Sequence, residues 1–260
     1  MQRLDQLMMS RGLVRSRTRA QRLIKQGCVF LTDIHGKRIK PLQRPGEKLA
    51  ADALLAVEAN DEERYVSRAG LKLEGLFNTT GLDVNGMTLL DIGQSTGGFT
   101  DCALQRGAAR IIGIDVGHDQ LDPSLRRDER VVCLERVNAR SLTFELIRAH
   151  APRGIDGAMV DVSFISQTLI LPSLVPLLPP GGLLLTLVKP QFELTPAAIN
   201  NKGLVRHPAL YDQAEQRVRR CCEALGLTVR CWCESPIKGS DGNQEFVLYA
   251  VRPPAENVTA

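Results

Sequence analysis

Aromatic residues are scarce: seven Phe, three Tyr and one Trp make up 4% of the 260-residue chain. Across residues 1–50 Phe30 is the only one, so a recognition surface built from exposed, stacked rings is not expected there. Long apolar runs are missing as well. A membrane-spanning helix takes about 18 or more consecutive apolar residues, whereas the largely aliphatic run LLLTLV from Leu183 has only the length of a buried strand. The opening residues, MQRLDQLMMSRG, hold neither an apolar core segment nor a small-residue cleavage site, and a secretory signal is not expected. Cysteine is present but unpatterned. There are seven, an odd number, with Cys221 beside Cys222 and Cys231 one residue from Cys233. Neither pair is CxxC, and His35, His118, His150 and His207 do not cluster with them. Reduced thiols of a cytoplasmic protein are the leading reading, a structural zinc site is the lesser one, and no metal is expected.

What is present is an ordinary globular composition, 43% hydrophobic and 24% charged. It excludes wholesale disorder and fibrous repeats and leaves room for one large domain with a small one. The formal net charge is only +4, but residues 1–50 hold 12 Lys and Arg against three Asp and Glu, so they carry +9 and the remaining 210 residues −5. The asymmetry divides the chain into two modules.

In the basic module, RLDQLMMSRGLVRSRTRAQRLIKQGCVFL from Arg3 reads as two short helices and a strand. Leu4 and Leu7 supply one apolar turn before Gly12; Ser16 is placed as a helix N-cap and Gly27 as the stop. Between those caps Ala20, Leu23 and Ile24 share one face while Arg19 and Arg22 share another. VFLT from Val29, the turn DIHGKRIKP and LLAVEA from Leu54 add short strands around Lys37, Arg38 and Lys40. Cations this dense, with few acidic partners, repel one another unless they meet phosphates. A solvated helix face is the plainer alternative. The pattern RLDxxL, then RGLxxSRxxAxxLIxxGxV, resembles the small RNA-binding domain named after ribosomal protein S-four. The resemblance covers about residues 1–60 and implies an RNA-binding set of Arg3, Arg11, Arg15, Arg17, Arg19, Arg22, Lys25, Lys37 and Arg38. Where that family usually has Val-Asn-Gly after the strand, this chain has Thr32-Asp33-Ile34-His35-Gly36.

Beyond the charged stretch at Asp61 the pattern changes to apolar runs separated by helix-sized segments. The runs are MTLLDI (from Met87), RIIGIDV (Arg110), RVVCL (Arg130), DGAMVDV (Asp156), GLLLTLV (Gly182), LTVRCWC (Leu227) and EFVLYAV (Glu245). Such alternation predicts an α/β fold with a mainly parallel sheet. The last two runs are joined without a helix, which predicts an antiparallel C-terminal strand at the sheet edge. Ligands of open parallel sheets bind beyond the carboxyl ends of the strands. Those ends present DIGQSTGGF (Asp91 to Phe99), Asp115, Asp161 and Lys189-Pro190.

The glycine-rich turn is not GxGxxG, the form that cradles a pyrophosphate. An acid inside the strand, a loop of small residues and a second acid ending the next strand suit a ligand with ribose hydroxyls and an amino-acid ammonium but no phosphate. S-adenosyl-L-methionine fits that description better than NAD; a tight strand-to-helix turn without a ligand is the alternative. The cofactor-binding candidates are Asp91, Gly93, Ser95, Thr96, Gly97, Gly98, Phe99, Asp115 and Asn138. Methyl transfer to a ribose 2′-hydroxyl requires its proton to be removed or its developing charge to be stabilised. A lysine held by acids serves either purpose.

YVSRAGLKLEGLF (Tyr65), LLDIGQSTGGFTD (Leu89), MVDVSFIS (Met159), LVKPQFE (Leu187) and QEFVLYA (Gln244) resemble the TlyA, haemolysin-like ribosomal-RNA 2′-O-methyltransferases, whose catalytic domain is FtsJ-like. With the S-four-type module the resemblance covers nearly the whole chain. It implies a Rossmann-like S-adenosylmethionine-dependent methyltransferase fold, a mostly parallel seven-stranded sheet with helices on both faces, preceded by a small α+β RNA-binding domain. The expected boundaries are 1–60 for the RNA-binding domain, 61–68 for a linker, 69–254 for the methyltransferase domain and 255–260 for a tail. The resemblance also implies a catalytic tetrad of Lys72, Asp161, Lys189 and Glu245, ribosomal subunits as partner, and no membrane. On the residues alone Lys72 reads as a solvated helix position. Gln94 stands where the family usually has alanine and receives no role. RYVSR (Arg64 to Arg68) matches a linker expected to couple RNA docking to cofactor binding. A non-catalytic ribosome-assembly factor and a membrane-lytic protein are the competing functions.

Overall fold

The aliphatic residues of the first 58 positions are spaced to cover one small sheet. The computed structural model describes residues 1–14, 17–58 and 64–254. In it β1 (Gln2–Arg3) leads into α1 (Leu4–Ser10), which buries Leu4, Leu7 and Met8, and α2 (Arg17–Lys25) buries Ala20, Leu23 and Ile24. Gly27, at φ 74°, stops α2; its N–H and that of Cys28 return to the carbonyls of Ile24 and Leu23. This left-handed close is one that glycine makes without a Cβ penalty. β2 (Val29–Thr32) then lies between β3 (Arg38–Pro41) and β5 (Leu55–Val57), antiparallel to both, while β4 (Lys48–Leu49) pairs with β1. Ser16 and Arg15, residues 61–63 of the expected linker and the tail 255–260 lie outside the described residues.

Contacts divide the chain into Met1–Arg64 and Tyr65–Ala260. Tyr65 to Arg68, read as linker, therefore fall with the second unit. Tyr65 is buried against Gly70, where a Cβ would come within 2.4 Å of its ring, and the Val66 N–H donates to Asp101 Oδ2 at 2.8 Å.

In the second unit α3 (Ala69–Thr80) precedes a regular alternation: β6 (Thr88–Ile92), α4 (Gly98–Gln105), β7 (Arg110–Asp115), α5 (Pro123–Arg126), β8 (Val131–Glu135), α6 (Phe144–His150), β9 (Gly157–Val160), α7 (Leu171–Leu174), β10 (Leu183–Val188), α8 (Pro190–Glu193) and α9 (Tyr211–Ala224). β11 (Thr228–Glu234) and β12 (Phe246–Val251) end the fold. The seven-stranded sheet runs β11-β12-β10-β9-β6-β7-β8, with the five strands from β10 to β8 parallel. β12 is antiparallel to both β10 and β11, so the last strand is inserted inside the sheet and β11 takes the edge. This corrects the expected edge position of the C-terminal strand. The reason is burial: FVLYAV is almost continuously buried, whereas TVRCWCE alternates with exposed positions.

The period of two sorts the strand residues into two layers. Leu90, Ile92, Ile112, Ile114, Val160 and Leu184 pack toward α6, α7 and α9, and Leu89, Ile111, Met159, Leu185 and Val247 toward α3 and α4. Asp91 shares a face with Leu89, which places a carboxyl inside an apolar layer. Among the described residues no helix is long and apolar enough to cross a membrane.

Candidate active site

Close backbone approach shapes the cleft beyond the carboxyl ends of the parallel strands. After β6 the chain turns through Gly93 (φ 81°), Ser95 (φ 47°) and Gly97 (φ 94°) before α4 begins. A Cβ on Gly93 would come within 2.4 Å of the Asp161 carbonyl oxygen, and one on Gly98 within 2.2 Å of Ser67 Oγ. Asp115 organises the loop from β7, accepting hydrogen bonds from the backbone N–H groups of Ser95 and Gly117, each at 2.7 Å. Gly93, Gln94, Ser95, Thr96, Gly98 and Phe99 line one wall, and Asp161, Ser163 and Lys189 line another. Of the expected cofactor residues, Asp91, Gly97, Asp115 and Asn138 are not among those lining this cleft; the Asn138 side-chain oxygen accepts from Arg140 N at 3.0 Å and caps a short turn past β8.

Two ion pairs, one buried and one half-buried, meet where β9, β10 and β12 offer their ends. Lys189 Nζ lies 2.7 Å from Asp161 Oδ1 and donates to Ser163 Oγ at 2.8 Å. Lys72, on α3, pairs with Glu245, the residue before β12. That strand runs against its neighbours, so its first residues arrive at the edge where the parallel strands finish. α3 can approach because Gly75 has no side chain: a Cβ there would meet Pro236 at 2.7 Å. Lys72 is 9% exposed, which corrects the solvated position read from the residues alone; its ammonium is drawn inward by the carboxylate of a segment 173 residues away.

Burial pushes the Glu245 carboxyl up, while Lys72 and Lys189 pull it down and Asp161 raises it further. One carboxyl thus registers the other three charges. Asp91 is 1% exposed and is pushed up to about 7 by burial, with Asp161 and Asp115 adding repulsion, against a hydrogen bond from Thr100. Glu193 ties the loops together, accepting from Ser166 Oγ at 2.5 Å and from the Gln167 N–H at 2.7 Å, so the chain after β9 is held to the helix that follows Lys189. Phe164 is 91% exposed with φ 65°, its ring 5.3 Å from that of Phe192. Sequence reasoning singled out Gln94 without giving it a role and passed over Ser163, Phe164 and Glu193. The signal for Gln94 was Gly113, a glycine interrupting the aliphatic run of β7, which marks close approach by another group.

The FtsJ-like methyltransferase family matches residues 65–252, nearly the whole second unit, and the S4 domain matches residues 2–31. The chain belongs to the FtsJ-like methyltransferase family. Curated relatives of this FtsJ-like methyltransferase include a Bacillus subtilis protein provisionally named rRNA methyltransferase YqxC, 44% identical over 249 residues, 95% of this chain and 85% of that one. The 16S/23S rRNA (cytidine-2′-O)-methyltransferase TlyA of Mycobacterium tuberculosis is 38% identical over 247 residues, 95% of this chain and 88% of its own length. A solved Streptococcus thermophilus protein provisionally named a hemolysin has a TM-score of 0.73 at 38% identity, covering 99% of this chain and 91% of its own.

The S4-matching segment of the methyltransferase shows what its arginines do. Asp5 is fully buried and takes both Arg3 Nε and Nη2 at 3.0 Å, Arg17 Nε at 2.9 Å and Gln21 Nε2 at 3.1 Å. The Arg3 hydrogen bonds lead in holding that carboxyl well below the usual carboxylate range. The expected shortage of acidic partners is therefore corrected for these two arginines, whose side chains stay about half exposed while anchored. Arg11 donates to the carbonyls of Ala51 and Ala53, and Arg38 pairs with Glu58 while lying 4.5 Å over the Phe30 ring. Arg19 and Arg22 are half-buried on α2, and Lys25 and Lys37 are exposed. Arg15 lies outside the described residues.

Proposed function

We propose that this chain transfers a methyl group from S-adenosyl-L-methionine to a ribose 2′-hydroxyl of ribosomal RNA. The observation that carries the reading is the convergence of two lysine–carboxylate pairs, the buried Lys72–Glu245 and the half-buried Lys189–Asp161, beside a glycine-walled cleft. The residues present suit the cofactor. The wall has no side chain at Gly93 and Gly98, and two buried acceptors, Asp91 Oδ1 and Gln94 Oε1, have no protein partner. Asp91 would receive the ammonium group, Asp115 the ribose hydroxyls, and the loop from Gly93 to Phe99 the body of the ligand. When bound, the cofactor supplies an electrophilic methyl group on its sulfonium.

The chain's own part is to present the attacking oxygen. Lys189, already donating to Ser163 Oγ, supplies an ammonium donor to the 2′-oxygen as negative charge develops on it. Asp161 holds that ammonium in place, and the neighbouring Lys72–Glu245 pair supplies a second donor with a carboxyl poised to take up a proton. The exposed Phe164 ring at the rim offers a face to an unstacked base. The cations of residues 1–58 contact phosphates, which position the RNA without specifying its sequence. A ribosomal substrate implies a cytoplasmic place of action, and the reading requires no metal and no membrane.

The test is labelled methyl transfer to purified ribosomal subunits lacking the modification, with mass-spectrometric mapping of the product. Incorporation at a ribose is expected. Incorporation at a base, or none on either subunit, overturns the reading.

A further inference from the structure

The slot left by Gly113 is filled from the loop after β6. A Cβ on Gly113 would lie between 1.9 and 2.2 Å from the amide atoms of Gln94. Gln94, 3% exposed, therefore lies flat against β7 while its residue lines the cleft. It does not point to solvent, and it is not idle. Its Nε2 donates to Thr100 Oγ1 at 3.0 Å, and Thr100 donates onward to Asp91 Oδ2 at 2.5 Å. An amide nitrogen can only donate, so it occupies a lone pair of the Thr100 hydroxyl. The hydroxyl proton is then committed to Asp91 and is withheld from the helix carbonyls that a threonine otherwise seeks.

The far side of this chain of bonds is unfinished. Gln94 Oε1 and Asp91 Oδ1 are buried without a hydrogen-bond partner, a state that is costly until a donor arrives. The charges that face Asp91 from the surrounding elements are Asp115 at the end of β7 and Asp161 past β9, both repulsive, and Lys189 is engaged by Asp161. With two acceptors unpartnered and like charges on two sides, a cationic donor is favoured here.

We propose that Gln94, acting through Thr100, holds Asp91 as an aimed and ionised acceptor for the ammonium group of the cofactor's amino-acid moiety. The proposal rests on the S-adenosylmethionine reading given above and adds to it a positioning residue, Gln94, and the glycine that accommodates it, Gly113. It has a distinctive dependence on pH. Burial holds the Asp91 carboxyl near 7, and a ligand ammonium pairs with its ionised form. Affinity therefore rises with pH until the free carboxyl has ionised, and then levels off. Without Gln94 the Thr100 proton is released, the Asp91 carboxyl moves further up, and the rise in affinity moves to higher pH.

Calorimetric titration of the full chain between pH 6 and pH 8.5 tests this, using S-adenosylhomocysteine and 5′-methylthioadenosine, which lacks the amino-acid part. Q94A is expected to weaken S-adenosylhomocysteine about tenfold near pH 6.5, the equivalent of one unit on Asp91. The loss should shrink to less than about threefold at pH 8.5, and 5′-methylthioadenosine should bind the variant and the parent alike. Q94A/G113A, which fills the vacated slot, and Thr100→Val should behave as Q94A does. A loss that is equal at every pH, or equal for both ligands, or no loss in any of the three variants, overturns the proposal. Failure of the unmodified chain to bind S-adenosylhomocysteine at any pH overturns the cofactor reading itself and the inference with it, and is a separate outcome because it involves no variant.

Discussion

Buried carboxyls behave in opposite ways in the two units. Asp5 in the first is surrounded by two guanidinium groups and an amide, and its carboxyl is held down. Asp91 and Glu245 in the second are just as buried, yet both are pushed up, because desolvation outweighs the hydrogen bonds and cations they have. The difference teaches how to read an interior acid. Outnumbered by cations, it fastens a fold; left short of donors, it is poised to bind or to exchange a proton.

The comparison can be broken at several points. The largest effect is expected for Lys189→Ala, which strips Asp161 of its partner and should lower methyl transfer to subunits by about 10²–10⁴, the range for a lost catalytic proton or charge donor. Retained turnover would show that the second unit's ion pairs are only structural. Asp91→Asn should weaken S-adenosylhomocysteine binding more than about tenfold while making the protein more stable near pH 8, by about 1–3 kcal/mol. The sign follows from the raised carboxyl. The unfolded chain ionises near the ordinary carboxylate value and the folded protein not until about 7. The parent thus loses stability as pH climbs through that window, and the amide does not. Urea unfolding at pH 5 and pH 8 checks it; a gain that does not grow with pH counts against the assignment.

Asp5→Asn should do the reverse, destabilising the first unit by about 2 kcal/mol, the scale of hydrogen bonds to a charged group, and loosening Arg3 and Arg17. Because the folded carboxyl is depressed, its contribution is complete above the ordinary carboxylate range and is lost as pH falls through the folded value. Unfolding of the variant and the parent should therefore converge in strong acid, and parallel curves down to the lowest accessible pH would remove Asp5 as the fastening. The smallest effect is expected for Lys37→Ala, an exposed cation. It should reduce the slope of log affinity for subunits against log salt by about one. An unchanged slope would take Lys37 off the RNA surface.

Much of this site is visible in the chain because parallel strands write their ends plainly. Asp115, Asp161 and Lys189 each follow an aliphatic run, and the glycine loop follows another. Lys72 could not be read that way. It precedes the first strand of the sheet, and AGLKLEGLF is consistent with an ordinary amphipathic helix until α3 is laid against Glu245. The places of β11 and β12 were readable from their contrasting periodicity, TVRCWCE against FVLYAV, but the missing helix between them drew attention to connectivity instead of burial. The β1–β4 ladder is too short to carry any period. Gln94 escaped because a polar residue in a loop is ordinarily solvated, and only the slot at Gly113 explains why this one turns inward.

The reversed strand β12 has a consequence in time as well as in space. Glu245 and the strand that seats it follow every other site residue along the chain. During synthesis they emerge after all the other site residues, and the sheet stays open beside β10 until they do. A nascent chain can have its cofactor loop, its basic unit and three of its four charges in place and still lack the carboxyl that engages Lys72. The site is completed only once β12 has been made.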